Sequence, residues 1–194
     1  LAIINTWSHC TQLSEPRYST IGRLETLNIV ATKLIPAPEQ TKRKKPPVTR
    51  TALKHKLQQV AQTELVKLAG TVNTERLFKP DFIRHGKDQV HMVDVGIANG
   101  RVLAAAHCLT MQVNEWQHYA DSAKWMASDI MKRKDDAPLL FVIAPPTKQD
   151  LMDDYKSLTR ILTSIGARCA TNDEFVDVIG DLYQQSIPRA YLSA

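Results

Sequence analysis

Apolar residues recur with helical spacing from Thr51 onward. Leu53, Leu57, Val60 and Leu68 fall on one stripe at about 100° per residue. Thr49 or Thr51 can cap this helix, and Gly70 is placed to stop it near Ala69. Glu64 falls in the middle of the stripe. A carboxylate on a core-facing stripe is costly unless it is paired, protonated or bound to a cation, which makes Glu64 a candidate functional residue.

The pattern then changes to that of strands. Three runs, about 76–84, 90–98 and 101–111, are separated by His85-Gly86-Lys87-Asp88 and by Asn99-Gly100, the latter a strong hairpin signal. They predict an antiparallel meander whose third strand, nearly unbroken in apolar residues, is buried on both faces. In the second run Val93, Val95 and Ile97 share one face and Val90, Met92 and Asp94 the other, so Asp94 breaks an apolar row and becomes a second candidate.

Helical spacing returns at Trp116, Ala120, Ala123, Ala127 and Ile130, where Asn114 with Gln117 can form a capping box. Leu139–Ala144 is short and apolar, as a buried strand is, and Pro145-Pro146 closes it. A helix over 148–165 follows, with Leu151, Tyr155, Leu158, Leu162 and Ile165 in register and Gly166 as its stop. After a short strand over 167–170, Thr171 and Glu174 form the capping box of a last helix carrying Phe175, Val178, Ile179 and Leu182. The order is α-β-β-β-α-β-α-β-α, an α/β class with a mixed sheet, and its β-α-β-α tail implies parallel pairing.

Ahead of Thr51 the pattern is weaker. Residues 18–34 alternate loosely, as one or two strands or an irregular arm would, and Pro36, Pro38, Pro46 and Pro47 bracket a polar loop. This divides the chain into an N-terminal arm and linker, 1–50, and an α/β domain, 51–194.

Charge changes the picture only once it is located. The 194 residues carry 25 Lys and Arg against 20 Asp and Glu. Within 41–60 stand Lys42, Arg43, Lys44, Lys45, Arg50, Lys54 and Lys56, with no acid, whereas 101–194 is slightly acidic. One proline-bounded stretch is therefore basic, and it points to DNA or RNA bound through backbone phosphates, or to an acidic protein surface. No apolar run reaches the roughly 18 residues of a membrane span, which predicts no membrane partner. Three widely spaced cysteines, Cys10, Cys108 and Cys169, argue for a reducing, cytoplasmic setting. His85, His91, His107, His118 and Cys108 lack the paired spacing of a zinc site, and no phosphate-cradling Gly-rich loop or nucleophile elbow occurs.

The order of a helix, a three-stranded meander, a helix and a further strand resembles the core of the PD-(D/E)xK, or restriction-endonuclease-like, superfamily. The resemblance spans about 51–144. It implies a Mg²⁺-dependent nuclease site in which Glu64 matches the carboxylate of the first helix and Asp94 that of the second strand. On the third strand Leu103-Ala104-Ala105-Ala106-His107-Cys108-Leu109 offers neither the acid nor the lysine of the family pattern, with His107 the nearest substitute base. Pro80-Asp81 spells the family's dipeptide, but on the first strand. The resemblance thus implies a nuclease-like fold with a degenerate catalytic set and no cofactor, Mg²⁺ being needed only if activity survives. The expectation is a nucleic-acid-binding, catalytically inactive domain of a larger assembly such as a defence system or mobile element. The alternatives are an active Mg²⁺-dependent nuclease using Glu64 and Asp94, and a protein-interaction subunit or homo-oligomer without nucleic-acid contact.

Overall fold

The computed structural model describes residues 46–133 and 137–191. The expectations for the N-terminal arm, for Lys42, Arg43, Lys44 and Lys45, and for Cys10 lie outside the described residues.

Helix α1, Arg50–Leu77, begins where the Thr49 hydroxyl accepts the Ala52 N–H at 3.2 Å. Gly70 interrupts it at φ 74° and ψ 166°, a conformation that suits glycine, and the chain then resumes helical geometry to Leu77. The predicted stop is therefore a break within a longer element. The buried row is Leu53, Leu57, Ala61, Leu65 and Ala69, a straight i, i+4 series, with Val60 and Leu68 only partly buried beside it. Glu64 sits on the flank of this row rather than at its centre. Small alanines at 61 and 69 let the helix lie close to the sheet, which a count of large apolar residues does not register.

The meander follows as β1 (Phe78–His85), β2 (Val90–Asn99) and β3 (Arg101–Thr110). After it come α2 (Trp116–Met131), β4 (Leu139–Ala144), α3 (Met152–Ser164), β5 (Arg168–Thr171) and α4 (Phe175–Ser186). The nine elements appear in the predicted order. Caps differ in detail. No side chain caps α2, and its first turn is closed by the Trp116 N–H on the Val113 carbonyl oxygen at 3.3 Å. Thr171 and Glu174 do bond reciprocally, but in the turn before α4 begins.

The five strands form one mixed sheet in the order β1-β2-β3-β4-β5, antiparallel through β3 and parallel from β3 to β5. Helices α1 and α4 pack on one face, against Val95, Ile97, Ala106, Cys108 and Val142. Helices α2 and α3 pack on the other, against Val93, Ala105, Leu109, Phe141 and Ile143, so Val93 does not share a face with Val95 and Ile97 as simple alternation predicts. All six residues of β4 are buried, as a central parallel strand covered on both faces must be. Fully burying a side chain such as Leu57, Leu65 or Phe141 is worth about 1.5–3 kcal/mol, so these two cores supply the main drive for assembly.

One irregularity positions the candidate site. Pairing of β2 with β3 runs from Asn99 opposite Arg101 to Val95 opposite Ala106 and stops there. Beyond that point Val90–Val93 pair with β1, while His107–Thr110 pair with β4. The sheet forks, and Asp94 stands at the fork.

Candidate functional site at the sheet fork

A fork in a sheet leaves backbone groups without ladder partners, and buried ones must find others. The Cys108 N–H faces the gap and donates to Asp94 Oδ2 at 2.8 Å. Arg50, the first residue of α1, lays its Nη2 between the two acceptors of the gap. It lies 3.1 Å from Asp94 Oδ1, 3.4 Å from Oδ2 and 3.4 Å from His107 Nε2. On the other side His107 Nδ1 lies 3.1 Å from Asp94 Oδ2 without the alignment of a hydrogen bond. Gln58, two turns further along α1, donates to the Asp94 carbonyl oxygen at 3.1 Å.

The electrostatics follow from these neighbours. A guanidinium only donates, so His107 Nε2 accepts and the ring proton resides on Nδ1, toward the carboxylate. Burial lowers the His107 pKa to about 4, Asp94 working against it and Arg50 and Lys54 with it, so the imidazole is neutral at pH 7. Burial, reinforced by Asp94, pushes the Cys108 thiol well above its ordinary range. A thiol held protonated is a poor nucleophile, so Cys108, His107 and Asp94 do not make a cysteine–histidine–aspartate catalytic set despite their proximity.

The candidate residues separate into different places. Asp94 and His107 come together, with Arg50. Glu64 does not join them. It pairs with Lys67 at 2.6 Å and faces α4, where its charge, after burial itself, raises the pKa of the Tyr183 hydroxyl. Gln58, which reaches the Asp94 carbonyl oxygen, stands six residues, about 9 Å of helix, before Glu64, and the Glu64 carboxylate is already taken by Lys67. Among the described residues no three His, Cys, Asp or Glu are placed to hold a metal ion. The fork does not fit the Mg²⁺ that the nuclease resemblance implies, because both oxygens of Asp94 already face a guanidinium and Oδ2 also takes an amide.

The described bases of the 42–56 stretch are also engaged. Lys54 pairs with Asp81, which stands at φ 49° between Pro80, opposite Val95, and Phe82, opposite Val93. Lys56 donates to the Asn172 carbonyl oxygen at 3.1 Å and lies over the Phe175 ring. Arg50, Lys54 and Lys56 thus fasten the start of α1 to β1, β2 and the loop ahead of α4.

A second buried carboxylate escaped the sequence reading. Asp129 of α2 is fully buried and accepts the Asp88 N–H at 2.7 Å, the Gln89 N–H at 3.0 Å and His91 Nε2 at 2.7 Å. Burial opposes its charge, but these donors hold its pKa down at about 2. It anchors the β1–β2 turn to α2, and Gly86 passes so close that a Cβ there would lie 2.0 Å from Asp129 Oδ2. The criterion that singled out Glu64 also selects Asp129, which stands between Met126 and Ile130 on the apolar face of its helix. Of the other histidines considered for zinc, His118 stacks edgewise on Tyr119 and His85 is exposed at the end of β1.

Comparison of the chain with protein-family profiles, with curated proteins and with solved structures gave no match. Among the described residues no helix is long and apolar enough to cross a membrane.

Proposed function

We propose that this chain is a nucleic-acid-binding domain of nuclease-like architecture that has no catalytic role and works within a larger nucleoprotein assembly. The observation that carries the reading is the Arg50 guanidinium on Asp94. Where the resemblance to the PD-(D/E)xK superfamily implies a carboxylate free to hold a divalent cation, this chain supplies its own cation. A guanidinium neutralises the carboxylate but brings no water to ionise, and metal-assisted hydrolysis depends on that water. His107, neutral and hydrogen-bonded to Arg50, is likewise committed. The five-stranded mixed sheet and its element order support the kinship in architecture.

Polyanion contact falls to Lys42, Arg43, Lys44 and Lys45, because Arg50 and Lys54 are paired with Asp94 and Asp81. Cys108 and Cys169 are free thiols, in keeping with a reducing, cytoplasmic setting.

Duplex DNA and RNA binding by the full chain, measured across a salt series, tests the reading. The expected result is salt-sensitive affinity, with the K42A/R43A/K44A/K45A variant lowering the slope of log affinity against log salt by about 3–4. Divalent-ion-dependent cleavage of plasmid or RNA, lost in Asp94→Ala, overturns the non-catalytic assignment. Absence of binding to either nucleic acid, together with a protein that copurifies after nuclease treatment, transfers the function to protein interaction.

A further inference from the structure

A cavity of about 770 Å³ opens on the molecule between the end of β1, the β2–β3 turn, the start of β4 and the C-terminal ends of α2 and α4. It includes none of Arg50, Asp94 or His107. Its volume lies within the roughly 300–1,000 Å³ typical of ligand sites. Among the described residues that line it, His85, Arg101 and Arg133 are exposed and none is Asp or Glu, while Arg84 is fully buried and donates to the Ala137 carbonyl oxygen at 2.7 Å.

Arg101 and Arg133 are exposed. Among the described residues Arg101 meets no carboxylate, and Arg133 reaches only the His85 carbonyl oxygen at 3.4 Å. Gln185, on the opposite wall, gives its amide oxygen to Arg168 at 2.7 Å, which leaves its N–H groups for an acceptor. At the rim Gly100, with φ 71°, has open space where a side chain would stand, so a ligand can approach the turn closely. Two like charges facing one concave space repel each other until an anion sits between them, and guanidinium forks suit phosphate oxygens in particular. The placement is notable in a region whose overall charge is neutral to acidic. Charge here is gathered by the fold, since Arg101 and Arg133 are 32 residues apart.

We propose that this cavity is a binding site for linked phosphate groups, donated either by a polyphosphate-bearing small molecule or by a nucleic-acid backbone. Arg101 and Arg133 form the clamp and Gln185 completes it. Its existence does not depend on the fate of the nuclease-like reading.

The test titrates the full chain with inorganic tripolyphosphate and, separately, with a short fluorescent single-stranded oligonucleotide, each at low and moderate salt. Binding of either ligand that weakens about tenfold or more in Arg101→Ala/Arg133→Ala, while K42A/R43A/K44A/K45A leaves tripolyphosphate binding unchanged, supports the proposal. Tripolyphosphate binding identifies a small-molecule site, and oligonucleotide binding alone a backbone site. Both arginines are exposed, so thermal unfolding of the double variant should match that of the parent. A folded double variant that binds both ligands as the parent does overturns the proposal, as does a parent that binds neither. Loss of all binding in the 42–45 variant, with the double arginine variant unaffected, overturns it in favour of the arm.

Discussion

Among the described residues two aspartates are buried, each beside a histidine, and the two do different work. Asp129 lies on a helix and reaches into a turn of the meander. Two backbone N–H groups and His91 satisfy it, all within one hairpin. Asp94 lies on a strand at a fork of the sheet. One backbone N–H, a guanidinium from α1 and a histidine from β3 surround it. The first closes a local turn, whereas the second joins three elements distant in sequence. A histidine against a buried carboxylate therefore defines no chemistry by itself. What matters is the third group, an amide in one case and an arginine in the other, and among the described residues no metal set stands beside either.

Breaking the Asp129 anchor should have the largest effect. Asp129→Ala leaves the Asp88 and Gln89 amides and the buried His91 without their acceptor, and urea denaturation should show the greatest stability loss of the series. Gly86→Ala should approach it, because the added methyl collides with the same carboxylate. If Asp129→Ala instead unfolds at the parent's urea midpoint, the two carboxylates cannot be ranked this way.

The pH profile separates the pair next. His107 titrates at about 4 in the folded chain against 6.5 in the unfolded one. Between those values the unfolded state binds more protons, so stability is lost as pH falls from about 6.5 to 4, by at most about 3 kcal/mol. Asp129 contributes stability that is present above 3.8 and is lost as pH falls toward about 2. Two acid-sensitive windows are thus expected in equilibrium unfolding measured against pH, and His107→Gln should flatten only the upper one.

Arg50→Ala comes third. It leaves Asp94 buried, with its side chain 4% exposed, and facing only Cys108 and His107. The loss expected is about 1–2 kcal/mol, moderated because Arg50 itself is about one-third exposed. It should also raise the His107 pKa, which histidine ring NMR resonances would report. Lys54→Ala, breaking a partly exposed pair with Asp81, should cost least, about 0–1 kcal/mol in thermal or urea unfolding. A Lys54 effect as large as that of Arg50 would mean that the fork and the β1 edge act as one network.

The element order could be read from the chain because each segment carries its own periodicity. Leu139–Ala144 reads as a buried strand and is one, and Asn99-Gly100 marks a turn that forms. Asp94 and Glu64 were both conspicuous as charges among apolar residues, yet the reasons for their burial differ. Glu64 sits on the flank of α1 and finds Lys67 one turn away, a local solution that helical spacing could have suggested. Asp94 is answered by Arg50 and His107, 44 and 13 residues distant, and no local rule pairs them.

By itself, then, the order of residues determined the nine elements, the mixed sheet and the position of the basic stretch, since hydrophobic period, turn residues and charge are local properties. Only the tertiary structure decided which carboxylates meet which cations, because the fork between β2 and β3 arises where two strands part to follow different neighbours. The same holds for the cavity bounded by Arg101 and Arg133. Proximity across a folded sheet depends on how the layers pack, and sequence distance carries no measure of it.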